Sequence, residues 1–345
     1  MRKIVIACDS YKGCLSSSEV ARAAAEGVAE VYPDCEIVRL AVADGGEGTV
    51  DALVETLGGH LEWAEVSDPL GRPVKAAYGI ADDLAIIESA AACGLTLLTK
   101  EERNPLITTT KGLGDLILAA IDKGCRRFLI GLGGSATNDG GMGMISADGF
   151  LERARGMKFT VACDVDTPYI GAHGASRVFG PQKGASEEDV EILEERLRGY
   201  ALKILKDTGI DVSDMAGAGA AGGLGGAFRA YLGAELKRGV DLVLDQIGFD
   251  SIIDGADLVI TGEGCSDYQT LKGKTAAGVL ERAKRKRIPV MLVSGAIRDG
   301  QMLRDGGFGI IAAASPKEMS LAEAMRPETA EHNIYKTVKR LLLNE

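Results

Sequence analysis

Short apolar runs alternate with amphipathic stretches along most of the chain. The apolar runs predict strands at residues 3–7, 36–42, 127–130, 258–261, 290–293 and 309–313. Most of these runs are apolar throughout, which is typical of parallel strands covered on both faces. The amphipathic stretches predict helices at residues 18–31, 49–57, 114–123 and 278–287. This alternation of strands and helices predicts a doubly wound, mostly parallel α/β sheet.

A second region has a different pattern. Three short runs separated by turn-like residues predict an antiparallel or mixed sheet; they are residues 60–67, 74–79 and 84–88. We assign the irregular segments near 171–184 and 217–226 to the same sheet. We therefore predict a Rossmann-like domain and a second α/β domain with a mixed sheet, inserted discontinuously, with a cleft between them. The predicted boundaries are 1–62, 101–146 and 248–345 for the Rossmann-like domain, and 63–100 and 147–247 for the inserted one. A length of 345 residues agrees with two domains.

Net charge and the lengths of the apolar runs argue against two classes of partner, nucleic acids and membranes. The formal net charge is -11, and the one basic cluster, residues 282–287, lies where a helix is expected to end, so its charge complements the helix dipole. This argues against a nucleic-acid partner. No apolar run reaches transmembrane length and the amino terminus does not look like a signal peptide, so we expect no membrane partner and a cytoplasmic location.

Cysteine and histidine usage gives no sign of a metal centre. The seven cysteines form no C-x-x-C pair, and an odd number cannot all pair within one chain, so we expect reduced thiols. The three histidines are far apart and show no ligand spacing. Glycine is the unusual residue: 46 of 345 residues, without a period, are about twice the ordinary share. We expect these glycines to shape loops.

Five polar clusters follow predicted strands or lie among glycines. They are Asp9-Ser10-Tyr11-Lys12-Gly13, Asp44-Gly45-Gly46-Glu47-Gly48-Thr49, the run from Gly133-Gly134-Ser135 to Asp139, Phe179-Gly180-Pro181-Gln182-Lys183-Gly184, and Gly262-Glu263-Gly264 with Asp267 and Gln269. Ligands of doubly wound sheets bind outside the carboxyl ends of the strands. The convergence of carboxylates, lysines and hydroxyl groups is what phosphoryl transfer requires.

The run from Ile130 to Gly141 is the most informative of these segments. It predicts a strand, then an exposed glycine loop, then the start of a helix at Met142. Such a loop exposes backbone N–H groups, and the helix terminus adds a positive partial charge. We therefore expect phosphate at this loop.

Each cluster also has a structural interpretation that stays open at this point. Asp9 and Asp44 can cap the helices that follow them, and Lys12 can be a solvated surface lysine. The polar residues of the 135–138 segment can cap the next helix, and residues 179–184 can form a proline turn with an exposed lysine. The segment at 262–267 can be a further turn without a ligand.

Two common nucleotide motifs do not fit. The segments starting at Gly131 and Gly217 match the G-x-G-x-x-G/A pattern, but the first lacks the acidic residue at the end of a following strand and the second lacks a preceding strand. Gly273-Lys274-Thr275 is similar to the end of a P-loop, but Tyr268 stands in place of its first glycine. Neither a Rossmann NAD site nor a Walker ATP site is predicted.

Taken together in order and spacing, these clusters and the 217–223 segment resemble the bacterial glycerate kinase family over nearly the whole chain. The resemblance implies a two-domain α/β enzyme that uses ATP and Mg²⁺ to phosphorylate D-glycerate, at the 2-hydroxyl. A kinase of another small hydroxy acid, or a protein that binds a nucleotide or phosphorylated metabolite without turnover, stays open. So does a homo-oligomer.

Three departures from the family pattern stand out. The segment 149–158 is a brief junction where relatives usually carry a longer glycine-containing stretch. Cys265 stands where an arginine usually follows Gly-Glu-Gly, so Lys272 or Lys274 is a candidate replacement for its charge. Tyr11 stands where phenylalanine is common.

Roles within the motifs are hypotheses. The candidate catalytic residues are Asp9, Lys12, Asp44, Asp139 and Asp267, and the candidate Mg²⁺ ligands are Asp44, Glu47 and Asp139. The candidate substrate contacts are Ser10, Asn138, Arg177 and Lys183. The candidate nucleotide contacts are Gly131, Gly133, Gly134, Ser135, Thr137, Gly262, Glu263 and Gly264. The sequence does not divide metal binding and proton transfer among the carboxylates, and it predicts loss of turnover in Asp44→Asn, Asp139→Asn and Lys12→Ala variants.

Overall fold

The structure, a computed structural model, describes residues 1–343, and its contacts divide the chain into two units. Unit 1 consists of residues 1–44 and the chain from 240 onward, and unit 2 consists of residues 45–239. The strands are β1 (Lys3–Cys8), β2 (Glu36–Ala41), β3 (His60–Ser67), β4 (Pro73–Ala81), β5 (Leu84–Glu88), β6 (Arg127–Gly131), β7 (Lys158–Ala162), β8 (Glu235–Lys237), β9 (Leu258–Thr261), β10 (Cys265–Ser266), β11 (Val290–Ser294), β12 (Ala296–Ile297) and β13 (Ile310–Ala313).

The helices range from single turns to a helix of 22 residues. They are α1 (Ser17–Val31), α2 (Thr49–Leu57), α3 (Ala90–Cys93), α4 (Lys111–Asp122), α5 (Met142–Ile145), α6 (Phe150–Arg153), α7 (Ala175–Phe179), α8 (Glu187–Thr208), α9 (Ala220–Leu232), α10 (Gly239–Gln246), α11 (Phe249–Ile252), α12 (Thr275–Arg285), α13 (Gly300–Gly306), α14 (Leu321–Ala324) and α15 (Pro327–Leu343). Short 3₁₀ helices cover Leu95–Leu97, Pro181–Lys183 and Thr270–Lys272. Within residues 1–343 no helix is both long and apolar enough to cross a bilayer.

Unit 1 is built on a five-stranded parallel sheet in the order β13-β11-β9-β1-β2. A capping box precedes α1: the Ser16 hydroxyl accepts the Glu19 N–H and the Glu19 carboxylate accepts the Ser16 N–H. α1 and α15 cover one face of the sheet, where Ile4, Ile6 and Ile260 are fully buried. Because all five strands run in the same direction, the residues that follow them meet at one edge.

Unit 2 is built on a six-stranded mixed sheet in the order β3-β4-β5-β6-β7-β8. The pairs β3–β4 and β4–β5 are antiparallel, and β5 to β8 are parallel. Its core includes Phe128 and Phe159, whose rings stack with centroids 4.8 Å apart. The parallel strands again bring their carboxyl ends, including Glu88 and Gly131, to one edge of the sheet.

The predicted α/β class, with one mostly parallel sheet and one mixed sheet, is confirmed, but the division of the chain differs from the predicted boundaries. Residues 101–146, assigned to the Rossmann-like domain, lie in unit 2, because β6 pairs with both β5 and β7. Unit 2 is also one continuous insertion rather than two segments. The reason is that both units contain parallel strands alternating with helices, and the sequence pattern does not show which sheet a given strand joins.

The irregular segments near 171–184 and 217–226 are not strands. The first forms α7 and a 3₁₀ turn, and the second leads into α9. Gly222 and Gly223 have φ values of 71° and 101°, in the left-handed region that strands do not use. The assignment of these segments to a sheet was therefore wrong.

Candidate functional site

A cavity of about 660 Å³ lies within unit 1, at the carboxyl edge of its sheet. Its charged residues come after β1, β2, β9, β10, β12 and β13 in the chain. The charged residues that line it are Asp9, Lys12, Asp44, Glu263, Lys274, Arg298 and Lys317. Four cations and three carboxylates make this lining net positive in a chain whose overall charge is -11. The cavity is therefore suited to an anion.

Asp9 is the most perturbed carboxylate of this cavity. It follows β1, is only 8 % exposed, and accepts hydrogen bonds from the Thr275 hydroxyl at 2.6 Å and from the Ser10 N–H at 2.7 Å. Burial raises the pKa of Asp9 to about 6, the Thr275 hydrogen bond opposes this, and the charges of Asp44 and Glu263 add to it. A carboxylate poised near neutrality in a cavity is a candidate proton acceptor.

Glu263 lies in a hydrogen-bonded network on the same wall. Its Oε1 accepts hydrogen bonds from the hydroxyls of Ser266 and Thr270, and its Oε2 lies 3.2 Å from Lys274 Nζ. Burial lowers the pKa of Lys274, but the nearby charge of Glu263 outweighs this effect and raises that pKa above its ordinary value. Lys274 thus stays charged in the cavity, which agrees with its candidacy to replace the arginine missing at Cys265.

Lys12, Arg298 and Lys317 are exposed cations on the rim of the cavity. None of the three has a carboxylate within ion-pair distance among residues 1–343. Ser10, Asp44 and Gly264 also line the cavity, as the predicted roles require. Gly262 serves a structural purpose: a Cβ there would lie 1.7 Å from the Val293 carbonyl oxygen. Its side-chain-free backbone lets β9 and β11 lie against each other at this point.

In unit 2, the two predicted glycine loops lie against each other. A Cβ on Gly131 would lie 2.6 Å from the Gly45 carbonyl oxygen, and one on Gly133 would lie 3.6 Å from the Gly46 Cα. Gly133 and Gly134 are exposed, whereas Ser135 and Thr137 are buried. The structure thus brings together two polar clusters that are almost 90 residues apart in the sequence.

The predicted helix after this loop is a single turn, α5. Its first-turn donor, the Gly143 N–H, is already bonded to Asp139 at 3.1 Å. The expectation of a helix N-terminus that binds phosphate is therefore not supported.

Lys183 lies buried beside the same loop. Its side chain is 2 % exposed, and its Nζ donates to the Ser135 hydroxyl at 3.0 Å and to the Thr137 carbonyl oxygen at 2.6 Å. Burial lowers the pKa of Lys183 to about 8, although Asp139 acts in the opposite direction. The nearby Asn138 is fully buried and donates to the Ser176 hydroxyl at 2.9 Å. The structure thus joins the predicted substrate contacts Asn138 and Lys183 in one buried cluster.

Two atoms of this cluster have no hydrogen-bond partner, Asn138 Oδ1 and Thr137 Oγ1. An orphaned polar atom in a protein interior costs about 1–3 kcal/mol, so such atoms mark places where a water or ligand can bind. The cluster is therefore a second candidate polar site, and all of its residues belong to unit 2.

Asp139 has a different role from the one its motif suggests. Its carboxylate accepts the backbone N–H groups of Thr110 at 2.8 Å, Gly141 at 3.0 Å and Gly143 at 3.1 Å. The Thr110 hydroxyl also donates to both carboxylate oxygens. Because these bonds tie α4 to the loop before α5, the geometry favours a structural role for Asp139 over metal binding or proton transfer.

Three further predicted residues do not line the cavity. Glu47 is exposed and does not line the cavity. Asp267 accepts the Gln269 N–H at 2.8 Å, the geometry of a local turn. Arg177 pairs with Glu191 on the surface of unit 2. None of the three has a geometry that supports its predicted chemical role.

Sequence reasoning missed several residues of the site. Thr275, the partner of Asp9, lies 266 positions later, and no local signal connects the two. The same holds for the apolar side of the cavity, which comes from residues 313–325. Glu88 had a usable signal, a carboxylate at the end of an apolar run. It accepts the Val50 N–H at 3.1 Å and so caps α2.

The residues of the cavity can also be tested as a magnesium site. Residues 1–343 contain no group of three or more His, Cys, Asp or Glu side chains arranged to hold a metal. Mg²⁺ in kinases is usually held by one or two carboxylates together with phosphate oxygens, so no such cage is needed. Asp44, a predicted Mg²⁺ ligand that lines the cavity, is a carboxylate that fits this mode.

Comparison with known proteins places the chain in a family. The model of the glycerate kinase family matches residues 4–151 and 145–343, two stretches that overlap at 145–151, where the short junction at 149–158 begins. The chain is 44% identical over 357 aligned positions to "Glycerate kinase" of Bacillus subtilis (strain 168), with 93% of this chain and 94% of the relative covered. It is 45% identical over 327 positions to "Glycerate 2-kinase" of Escherichia coli (strain K12), with 86% of each covered.

A solved structure agrees with these relatives. The crystal structure of a Salmonella typhimurium LT2 protein, whose name also contains the words glycerate kinase, superposes with a TM-score of 0.91 at 40% identity. The match covers 99% of this chain and 98% of the other. The family model and the relatives each cover most of the sequence, and the chain belongs to the glycerate kinase family.

Proposed function

We propose that this protein is an ATP-dependent kinase that phosphorylates D-glycerate at the 2-hydroxyl and releases 2-phosphoglycerate and ADP. Its membership of the glycerate kinase family supports a kinase, and the relative named glycerate 2-kinase supports the 2-position. The observation that carries the proposal is the cavity of unit 1, which joins a buried carboxylate of raised pKa to several cations. We expect the enzyme to act in the cytoplasm.

The cavity residues divide the work of phosphoryl transfer. Asp9 accepts the proton of the attacking hydroxyl, because its pKa of about 6 leaves it mostly ionised yet basic at neutral pH. Lys12 and Lys274 neutralise phosphate oxygens. Asp44 would hold Mg²⁺, and the metal would offset the negative charge of the phosphates.

Lys183 and Asn138 of unit 2 remain our proposed contacts for the carboxylate and hydroxyl groups of glycerate. Support comes from their burial in one polar cluster and from the unpartnered Asn138 Oδ1. A carboxylate that binds near Lys183 favours the charged lysine, so glycerate binding should be accompanied by proton uptake near pH 8.

The direct test is an assay of the purified chain with ATP, Mg²⁺ and D-glycerate, followed by identification of the product by NMR. Formation of ADP that depends on D-glycerate, with 2-phosphoglycerate as the product, supports the proposal. L-glycerate and other small hydroxy acids serve as substrate controls, and the Asp9→Asn variant serves as the enzyme control. Turnover only with another acid would assign a different substrate, and tight ATP binding without turnover would indicate a binding protein.

A further inference from the structure

The cavity of unit 1 is much larger than a three-carbon acid requires. Its volume of about 660 Å³ falls within the range of roughly 300–1,000 Å³ that is typical of pockets for drug-sized ligands. Its charged residues form only one part of the lining. The remaining volume leaves room for a ligand group of different chemistry.

The other part of the lining is mostly apolar. It comes from Ile297 and from the segment 313–325, which leaves β13, contains α14 and includes one cation, Lys317. Met319, Leu321 and Met325 supply its largest side chains, and Leu321 is 75% exposed while Met325 is 39% exposed. Exposed large apolar side chains that converge on a cavity mark a binding surface more often than a solvated one. Methionine thioethers also adapt well to flat rings.

The apolar and charged parts are continuous. Met325 Cε would lie 3.4 Å from a Cβ on Gly13, the residue next to Lys12. The cavity therefore offers an apolar surface directly beside a cluster of cations. A nucleoside triphosphate has the matching arrangement, a flat and largely apolar base joined to a polyanion.

We propose that the apolar wall formed by Met319, Leu321 and Met325 binds the base of the nucleotide, and that Lys12 and Lys274 in the same unit contact its phosphates. This inference rests on the proposed kinase function and makes it more specific. It assigns the base to unit 1, whereas the glycine loop of residues 131–137, our predicted nucleotide contact, lies in unit 2.

The test compares ATP with inorganic tripolyphosphate, which has the charge but no base. Leu321→Asn and Met325→Asn remove apolar surface without adding charge, and both positions are exposed, so the fold should tolerate them. The dissociation constant of each ligand is measured by isothermal titration calorimetry on the full chain, without glycerate. We expect ATP binding to weaken about fivefold in each single variant and tenfold or more in the double variant. Tripolyphosphate binding should stay within about twofold.

Met302→Asn is the matched control. Met302 is an exposed methionine of unit 1, on α13, and does not line the cavity. This variant should bind both ligands as the unmodified chain does. Four results would each overturn the inference. They are equal weakening of ATP and tripolyphosphate binding, unchanged ATP binding in the double variant, an effect of Met302→Asn as large as that of the cavity variants, and no ATP binding by the unmodified chain.

The same variants separate this inference from the proposed function. Suppose that glycerate is not phosphorylated, that ATP binds, and that the double variant weakens ATP binding but not tripolyphosphate binding. The base site then stands and the proposed reaction fails. If glycerate turnover is normal and the KM for ATP is unchanged in the double variant, the reaction stands and the base site fails.

Discussion

Asp9 and Asp139 both follow a parallel strand, both lie in glycine-bounded motifs, and the sequence makes both candidates for catalysis. Their surroundings differ. Asp9 has two hydrogen-bond donors, lines a cavity, and has a pKa raised to about 6. Asp139 accepts three backbone N–H groups and a threonine hydroxyl, and it does not line that cavity.

The difference shows what separates a reactive carboxylate from a structural one. Burial without enough donors makes the charged form costly, so the group holds a proton more readily and can exchange it. A half-buried carboxylate with several backbone donors, such as Asp139, instead fixes the local backbone. Variants of the two aspartates test this contrast directly, and variants of three basic residues, Lys12, Lys183 and Arg177, test the units in which the aspartates lie.

The largest effect on stability is expected from Asp139→Asn. Because each carboxylate oxygen accepts at least one backbone N–H, an amide NH₂ in either orientation leaves a buried donor without an acceptor. Each such loss costs about 1–3 kcal/mol, so the free energy of unfolding should fall by about 3 kcal/mol. Urea denaturation measures this loss, with the exposed Asp148→Asn in the same unit as the control. An unchanged urea midpoint would rule out the structural role.

Lys12→Ala tests the cavity that Asp9 lines. Lys12 is exposed and has no ion-pair partner within the described residues 1–343, so its loss should leave the urea midpoint unchanged. If it contacts a phosphate, the loss of a charged hydrogen bond should lower kcat/KM about 10- to 100-fold. Lys336→Ala, an exposed lysine of α15, is the control. Normal kinetics in Lys12→Ala would restore the interpretation of Lys12 as a solvated surface residue.

The raised pKa of Asp9 predicts a specific pH dependence of stability. Between about pH 4 and pH 6 the unfolded chain releases the Asp9 proton while the folded protein keeps it, so this residue lowers stability as the pH rises. Asp9→Asn should remove that decrease and leave the variant about 3 kcal/mol more stable than the unmodified chain at pH 7. Unfolding curves at pH 4 and pH 7 give the difference. A variant that is less stable at pH 7 would show that the charged Asp9 stabilises the fold.

Lys183 should show an alkaline dependence of the opposite sign. Its pKa is lowered to about 8, so between pH 8 and about pH 10 the folded protein has released a proton that the unfolded chain still holds. Stability contributed by Lys183 therefore rises with pH over this range. Lys183→Met should abolish the rise, which thermal unfolding at pH 8 and pH 10 would measure. An equal rise in both proteins would mean that the folded pKa of Lys183 is not lowered.

The smallest effect is expected from Arg177→Ala. Arg177 forms an exposed ion pair with Glu191, and such pairs contribute roughly 0–1 kcal/mol. Both the free energy of unfolding and the KM for glycerate should change little. A tenfold rise in that KM would support the substrate contact predicted from the sequence.

Local patterns in the sequence predicted much of the fold. The strand Leu258–Thr261 and the helix Thr49–Leu57 have the predicted bounds, and the mixed sheet of β3 to β5 lies where alternation indicated it. Local patterns did not show which sheet each strand joins, because hydrogen bonds between strands that are distant in the sequence decide this. For this reason residues 101–146 were assigned to the Rossmann-like domain, whereas they lie in unit 2.

For the candidate site, the sequence predicted the positions of some residues but not their chemical roles. Polar residues directly after strands, such as Asp9 and Glu263, could be found by position alone, because parallel strands end at a common edge. Their chemical roles could not, since these depend on partners such as Thr275 and Thr110, which no local pattern connects to them.

The central claim is that Asp9, and not Asp139, carries out the chemistry. The most direct test is kcat for glycerate-dependent ADP formation by Asp9→Asn and Asp139→Asn, each normalised to the fraction of folded protein. The account predicts a loss of about 10²- to 10⁴-fold for Asp9→Asn and less than about tenfold for Asp139→Asn. Comparable losses in both variants, or a greater loss in Asp139→Asn, would contradict it.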